Sequence, residues 1–139
     1  METHDVRNII LNWCLDVSKD SLSKHSSVKY DTLKENADLF NAVNAAKKYL
    51  NNPTRENKDS FVSMYSNASA ARSVFYDSSR SVDFAISAVY YSIMGYYHSA
   101  VIACFRAIFF AVKDSADKNE LENSLRINLQ NVFENSLQF

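Results

Sequence analysis

Apolar residues recur at three-and-four spacing along nearly the whole chain, and short polar clusters interrupt the rhythm. That period belongs to helices packed on one side. In residues 4–25, Val6, Ile9, Ile10, Trp13 and Val17 share a face, with Cys14 at its edge, while Asp16, Lys19, Asp20 and Lys24 lie outside it. Asp20 and Lys24 have the spacing of an i,i+4 ion pair. The polar run His25-Ser26-Ser27 breaks this helix. A second is predicted over residues 29–50, with a stripe of Leu33, Ala37, Phe40, Val43, Ala46 or Lys47, and Leu50. Asn51-Asn52-Pro53-Thr54 ends it, because Pro53 has no amide hydrogen and turns Asn52 away from helical geometry. Thr54 is the expected N-cap of a third helix, residues 54–76, with Phe61, Met64, Tyr65, Ala68, Ala71 and Phe75 on one side. The small residues of 66–73 would let another helix approach closely. Asp77-Ser78-Ser79 reads as the following break, with Ser79 or Ser81 as the next cap.

The stretch Phe84–Phe105 has no Asp, Glu, Lys or Arg. It holds the chain's single glycine, Gly95, and the pairs Tyr90–Tyr91 and Tyr96–Tyr97. Its length would cross a bilayer as one helix. Its tyrosines sit mid-run rather than at the two ends, and serines and His98 interrupt it, so no membrane span is expected. It reads instead as two helices, 80–95 and 97–113, hinged near Gly95. Val82, Ala85, Ile86, Val89 and Ile93 form the stripe of the first. Val101, Ile102, Phe105, Ile108, Phe109 and Val112 form that of the second, and both helices are expected to be buried on several sides. A solvated connection, 113–119, leads to a last helix over 119–136. That helix directs Leu121, Leu125, Leu129, Val132 and Phe133 inward and carries a Glu122–Arg126 pair.

Composition fixes the class. One glycine and one proline stand in 139 residues, where average usage gives about ten and seven. Hairpins and α/β connections need residues tolerant of positive φ, so strands are excluded and an all-α fold follows. The expectation is a single domain, 1–139: a compact bundle of five to six helices with a central apolar helical hairpin. Hydrophobic residues make up 47% of the chain and charged residues 22%, with a net charge of −1, which fits neither a disordered chain nor a bulk nucleic-acid binder. Residues 61–112 hold five charged residues (Arg72, Asp77, Arg80, Asp83 and Arg106) and twelve of the eighteen aromatics, so the terminal thirds are expected to wrap them.

Candidate chemistry is sparse. Cys14 and Cys104 have no metal-ligand spacing and read as buried free thiols. The mixed charges of residues 1–8 are not those of a secretory signal, which points to the cytoplasm and makes the acceptor pattern Asn67-Ala68-Ser69 a chance match. Phosphate-binding loops and the GxSxG nucleophile elbow require several glycines and are excluded. His4, His25 and His98 lack partners at ligand spacing, so no metal, cofactor or catalytic residue is expected. Asp77, Arg80, Asp83 and Arg106 are expected to cap helices or pair at the rim of the core rather than to form an acid–base pocket. The three basic groups of residues 61–112 (Arg72, Arg80 and Arg106) do not make a nucleic-acid groove. Tyr90, Tyr91, Tyr96 and Tyr97 point in several directions around a helix. Those left outside the core, with His98, are the candidate partner-binding residues, since tyrosines anchor protein interfaces.

The order of these features resembles the bacterial immunity protein family of polymorphic toxin systems. Trp13-Cys14-Leu15-Asp16-Val17-Ser18 is similar to the family's opening helix, and Asn41 to Leu50 to its second. Ala68-Ser69-Ala70-Ala71-Arg72 is similar to the third. Ser87-Ala88-Val89-Tyr90-Tyr91 through Ala107-Ile108-Phe109-Phe110-Ala111 is similar to the paired central helices. The family's central histidines are mostly tyrosine or serine here, and bulkier residues replace much of its alanine. The resemblance implies a non-catalytic inhibitory factor that neutralises a partner protein, a toxin or a defence effector. The alternatives are a phage or mobile-element anti-defence inhibitor, anti-restriction or anti-CRISPR, and a small-ligand or enzymatic helical domain with a pocket of His98, Arg106 and Asp83. A homodimer or larger assembly of the chain is a further expectation.

Overall fold

The computed structural model describes residues 6–25, 33–68 and 77–114, together with residues 119, 122, 123, 125–127, 129, 130 and 134. The fold is an all-α bundle. Five helices follow in order: α1 (Val6–His25), α2 (Leu33–Asn51), α3 (Arg55–Ala68), α4 (Asp77–Ile93) and α5 (Tyr97–Asp114). The described residues between 119 and 134 are helical as well, and there the Arg126 guanidinium meets the Glu122 carboxylate at 3.1 Å, as the spacing predicts.

Two connections carry their geometry in their sequence. At the α2–α3 junction the Thr54 hydroxyl accepts the Asn57 amide at 3.1 Å and the Thr54 carbonyl accepts that of Lys58. Thr54 is thus the N-cap that its position after Pro53 predicts. The Asn57 side chain reaches back to donate to the Asn52 carbonyl at 2.8 Å, fastening the loop to the helix it precedes. At the α4–α5 junction the Gly95 amide donates to the Ser92 carbonyl and the Tyr96 amide to the Tyr91 carbonyl. This pair of bonds is the Schellman motif, which places a residue in the left-handed region just past the helix. Gly95 occupies it at φ +84°.

The core gathers on α4, which pairs most extensively with α5 and also touches α1, α2 and α3. Val82, Ala85, Ile86, Ala88 and Val89 are buried together with Leu15, Leu39, Val43 and Phe61. The stripe predicted for α4 is therefore inward, with Ile93 half-buried at its end. Polar junctions cross the interfaces too. The buried Ser81 hydroxyl lies 2.8 Å from that of Ser18 and 2.6 Å from the Ala107 carbonyl. A hydroxyl has one proton and two lone pairs, so Ser81 can serve both neighbours only if Ser18 completes the set. α3 is held by Tyr65, stacked on Tyr90 with ring centroids 4.6 Å apart and bonded through its hydroxyl to Ser87 at 3.1 Å.

Several expectations need correction. α4 begins at Asp77, so Asp77-Ser78-Ser79 is helix rather than a break. Ser81 is not a cap, because its hydroxyl is engaged in the core. α1 is rotated from the predicted face: Leu11, Cys14, Leu15, Ser18 and Ser21 are buried, Val17 remains inward, and Ile10 is exposed. Small serines sit where α4 comes close, and a reading based on large apolar residues misses them. The α2 stripe holds at Val43, Ala46 and Leu50, all buried, but not at its start, where Ala37 is exposed, Phe40 is half-buried, and Leu39 and Ala42 are buried instead. The expectations for His4, residues 26–32, Ala71, Phe75, Leu121, Val132 and Phe133, and for the side chains of Val6, Lys24, His25, Leu33 and Asp77, lie outside the described residues.

Candidate protein-interaction surface

The largest departure from expectation defines the site. α5 turns its alanines inward: Ala100, Ala103, Ala107 and Ala111 are buried, and they allow its backbone to approach α4 and α1 closely. The large residues expected in the core stand outward instead. Phe105 is 73% exposed and Phe109 60%, with Val101 and Ile102 about half exposed beside them. On a helix of 3.6 residues per turn, 101, 102, 105 and 109 share one face, opposite the alanines. The face continues into the turn, where Met94, Tyr96 and Tyr97 are exposed. Contiguous exposed apolar patches of this kind mark interaction sites in folded proteins.

One edge of the face is aromatic and basic. Phe84 and Phe110 stack with ring centroids 5.5 Å apart, and Phe109 meets Phe110 edge-on. The Arg106 guanidinium sits over Phe84 at 5.6 Å, while Arg80 and Lys113 approach Phe110. The other edge falls into a groove of about 370 Å³ between α1 and α5, lined by Ile10, Leu11 and Trp13 on one side and Tyr97, Val101, Cys104 and Phe105 on the other, with Leu129 at its margin. Its walls are almost entirely apolar. The Trp13 indole nitrogen is buried beside it without an acceptor among the described residues. Arg7 closes one end by lying 4.6 Å over the Tyr97 ring.

Beneath the groove lie the two cysteines, both free thiols. The Cys14 thiol, buried on α1, lies 3.7 Å from the Cys104 carbonyl oxygen. A hydrogen bond to the Cys104 side chain, then burial, raises the Cys14 pKa well above the usual thiol range. The same bond stabilises the Cys104 thiolate and lowers its pKa, against the opposing effect of burial.

The five candidate residues separate. Tyr90 and Tyr91 pack half-buried against the core, Tyr90 within the Tyr65 stack. Tyr96, Tyr97 and His98 are exposed around the start of α5. His98 and Arg106 are eight residues apart on one helix, about 12 Å along its axis. Arg106 turns toward Phe84, and neither residue lines the groove, so no pocket of His98, Arg106 and Asp83 is assembled there. Among the described residues no group of three or more His, Cys, Asp or Glu side chains could hold a metal ion, and no helix is long and apolar enough to cross a membrane. Sequence reasoning missed Val101, Ile102, Phe105 and Phe109 as surface residues. The available signal was the alanine series at 100, 103, 107 and 111: when a helix is apolar all round, its small face packs closest.

Comparison with family models, with curated proteins and with solved structures finds no match.

Proposed function

We propose that this protein acts without catalysis, by binding another protein through the surface that runs from the Gly95 turn along the outer face of α5, as an inhibitory factor of the immunity-protein kind. The observation that carries this reading is Phe105 and Phe109, uncovered and continuous with Met94, Tyr96 and Tyr97. Aromatic and Met side chains are enriched in protein interfaces, and truncating the central ones usually causes most of the loss in affinity. The basic edge of Arg80, Arg106 and Lys113 suits a partner with an acidic rim.

The test is quantitative capture from the native host with three baits: the natural chain, Tyr96→Ala/Tyr97→Ala and Phe105→Glu. A specific protein retained by the natural chain and lost with either variant is expected. Monodisperse bait that retains nothing specific, or retention unchanged by both variants, would overturn the proposal. The alternative of an anti-defence inhibitor shares the surface and differs in the partner, so the captured protein decides: a toxin supports immunity, a restriction or CRISPR effector the alternative. The small-ligand reading draws on the groove instead, whose volume falls in the range of small-molecule sites. Titration with apolar ligands, followed by Trp13 fluorescence, addresses it; no change in emission would exclude it.

A further inference from the structure

Building on the reading of the α5 face as a protein-binding surface, we infer that the first occupant of its central stripe is a second copy of this chain, with the two α5 helices antiparallel about a two-fold axis at Phe105.

The stripe is symmetric about that residue. Exposed apolar residues stand four before it (Val101) and four after it (Phe109), and of the pair three residues away Ile102 is exposed while Ile108 turns partly onto the core. An isologous contact needs this arrangement, because residue i of one copy must meet residue j of the other and j must meet i. With Phe105 on the axis, Val101 faces Phe109 of the second copy, and the two Phe105 rings meet at the centre. Exposure follows the same form: it is greatest at Phe105 and lower at Val101, Ile102 and Phe109. No charged side chain projects from the middle of the stripe, and Arg106 is drawn aside onto Phe84. Two antiparallel helices also oppose their dipoles, whereas a parallel pair would align them.

Position and area agree with this. Among α1 to α5, α5 is an edge helix, in extensive contact with α4 and α1 alone. Its outer face can therefore approach a copy without another of these helices between them. The exposed parts of Val101, Ile102, Phe105 and Phe109, with Tyr97 and Met94 at one end, amount to roughly 600 Å² of mostly apolar surface. Groups at the rim bring this close to the 800 Å² or so per partner of a standard interface. Tyr96 and His98 lie toward the two ends of such a pair, where a different protein can still reach them.

The experiment is light scattering with size exclusion on the full chain across a concentration series, followed by cysteine cross-linking. The expected result is a dimer of twice the 15.8 kDa chain mass. Phe105→Glu is expected to raise its dissociation constant about a hundredfold or more, with an unchanged melting curve by circular dichroism for the monomer. In a Cys104→Ser background, oxidation should join two copies of Phe105→Cys. Phe109→Cys alone should not self-link, because its two copies stand about 12 Å apart along the helices. Val101→Cys combined with Phe109→Cys should link. A chain that stays monomeric at all concentrations would overturn the dimer: the stripe would then belong to another segment of the same chain or to a different protein. In the latter case capture by the natural chain and its loss with Phe105→Glu would leave the proposed function standing. Efficient self-linking of Phe109→Cys would overturn the antiparallel geometry.

Discussion

At Gly95 a side chain meets no atom within 4 Å, so its cost is set by the backbone alone. L-residues held in the left-handed region lose about 1–2 kcal/mol. Gly95→Ala is therefore expected to lower stability by about 1 kcal/mol, and Gly95→Asn by less, since Asn tolerates a helix C-cap better. Thermal unfolding measures both. Were α4 and α5 one continuous helix, alanine would instead stabilise by about 1 kcal/mol, so the sign decides. The cysteines give a second residue-scale expectation. With its pKa lowered, Cys104 forms thiolate more readily than an ordinary thiol, whereas Cys14, with its pKa raised, holds its proton more firmly. A thiol reagent near neutral pH should thus modify Cys104 first and reach Cys14 only on unfolding; mass spectrometry of the labelled peptides distinguishes the order. Equal labelling of the two in the native state would contradict the contact between them.

Among the elements, α5 tests the packing most directly. Ala107 is fully buried, and its carbonyl takes part in the Ser81 junction. Ala107→Leu is expected to cost about 1–3 kcal/mol through overpacking. Phe105→Ala should change the stability of the monomer by no more than about 0.5 kcal/mol, in contrast to the 3–5 typical of a buried phenylalanine. Chemical denaturation of both variants provides the comparison, and a large loss at Phe105 would mean that the face is covered. This element also marks how far the sequence was legible. The near absence of glycine and proline led directly to an all-α fold, and the Pro53–Thr54 and Gly95 punctuation located two connections. The orientation of α1 and α5 did not follow, nor did the start of the α2 stripe, because periodicity counts large apolar side chains, whereas these helices also bury Ser18, Ser21, Ala42 and Ala107. The candidate surface was half legible for the same reason. Tyr96 and Tyr97 stood out as surplus tyrosines, but Phe105 and Phe109 were indistinguishable from core residues until the alanine face was seen to be occupied.

For the whole molecule, association and stability are linked. Anything that binds the folded chain and not the unfolded one raises its apparent stability, and for self-association the melting temperature then depends on protein concentration. The natural chain is expected to melt at a higher temperature as its concentration is raised, and Phe105→Glu to melt at one temperature throughout. Calorimetry over a wide concentration range gives the result; a flat dependence for both chains would speak against pairing through α5.

The Ser18–Ser81–Ala107 junction has a consequence for the order of folding. Ser81 and Ala107 lie on helices joined by a short turn, and such local pairs close quickly. Ser18 must wait for a partner 63 residues further along the chain. During synthesis α1 is complete long before α4 exists, and in that interval it can pair only with α2, its smaller interface. Docking of α1 through Ser18 is then a late, closing event, and until it happens the face that α1 will bury against α4 stays open.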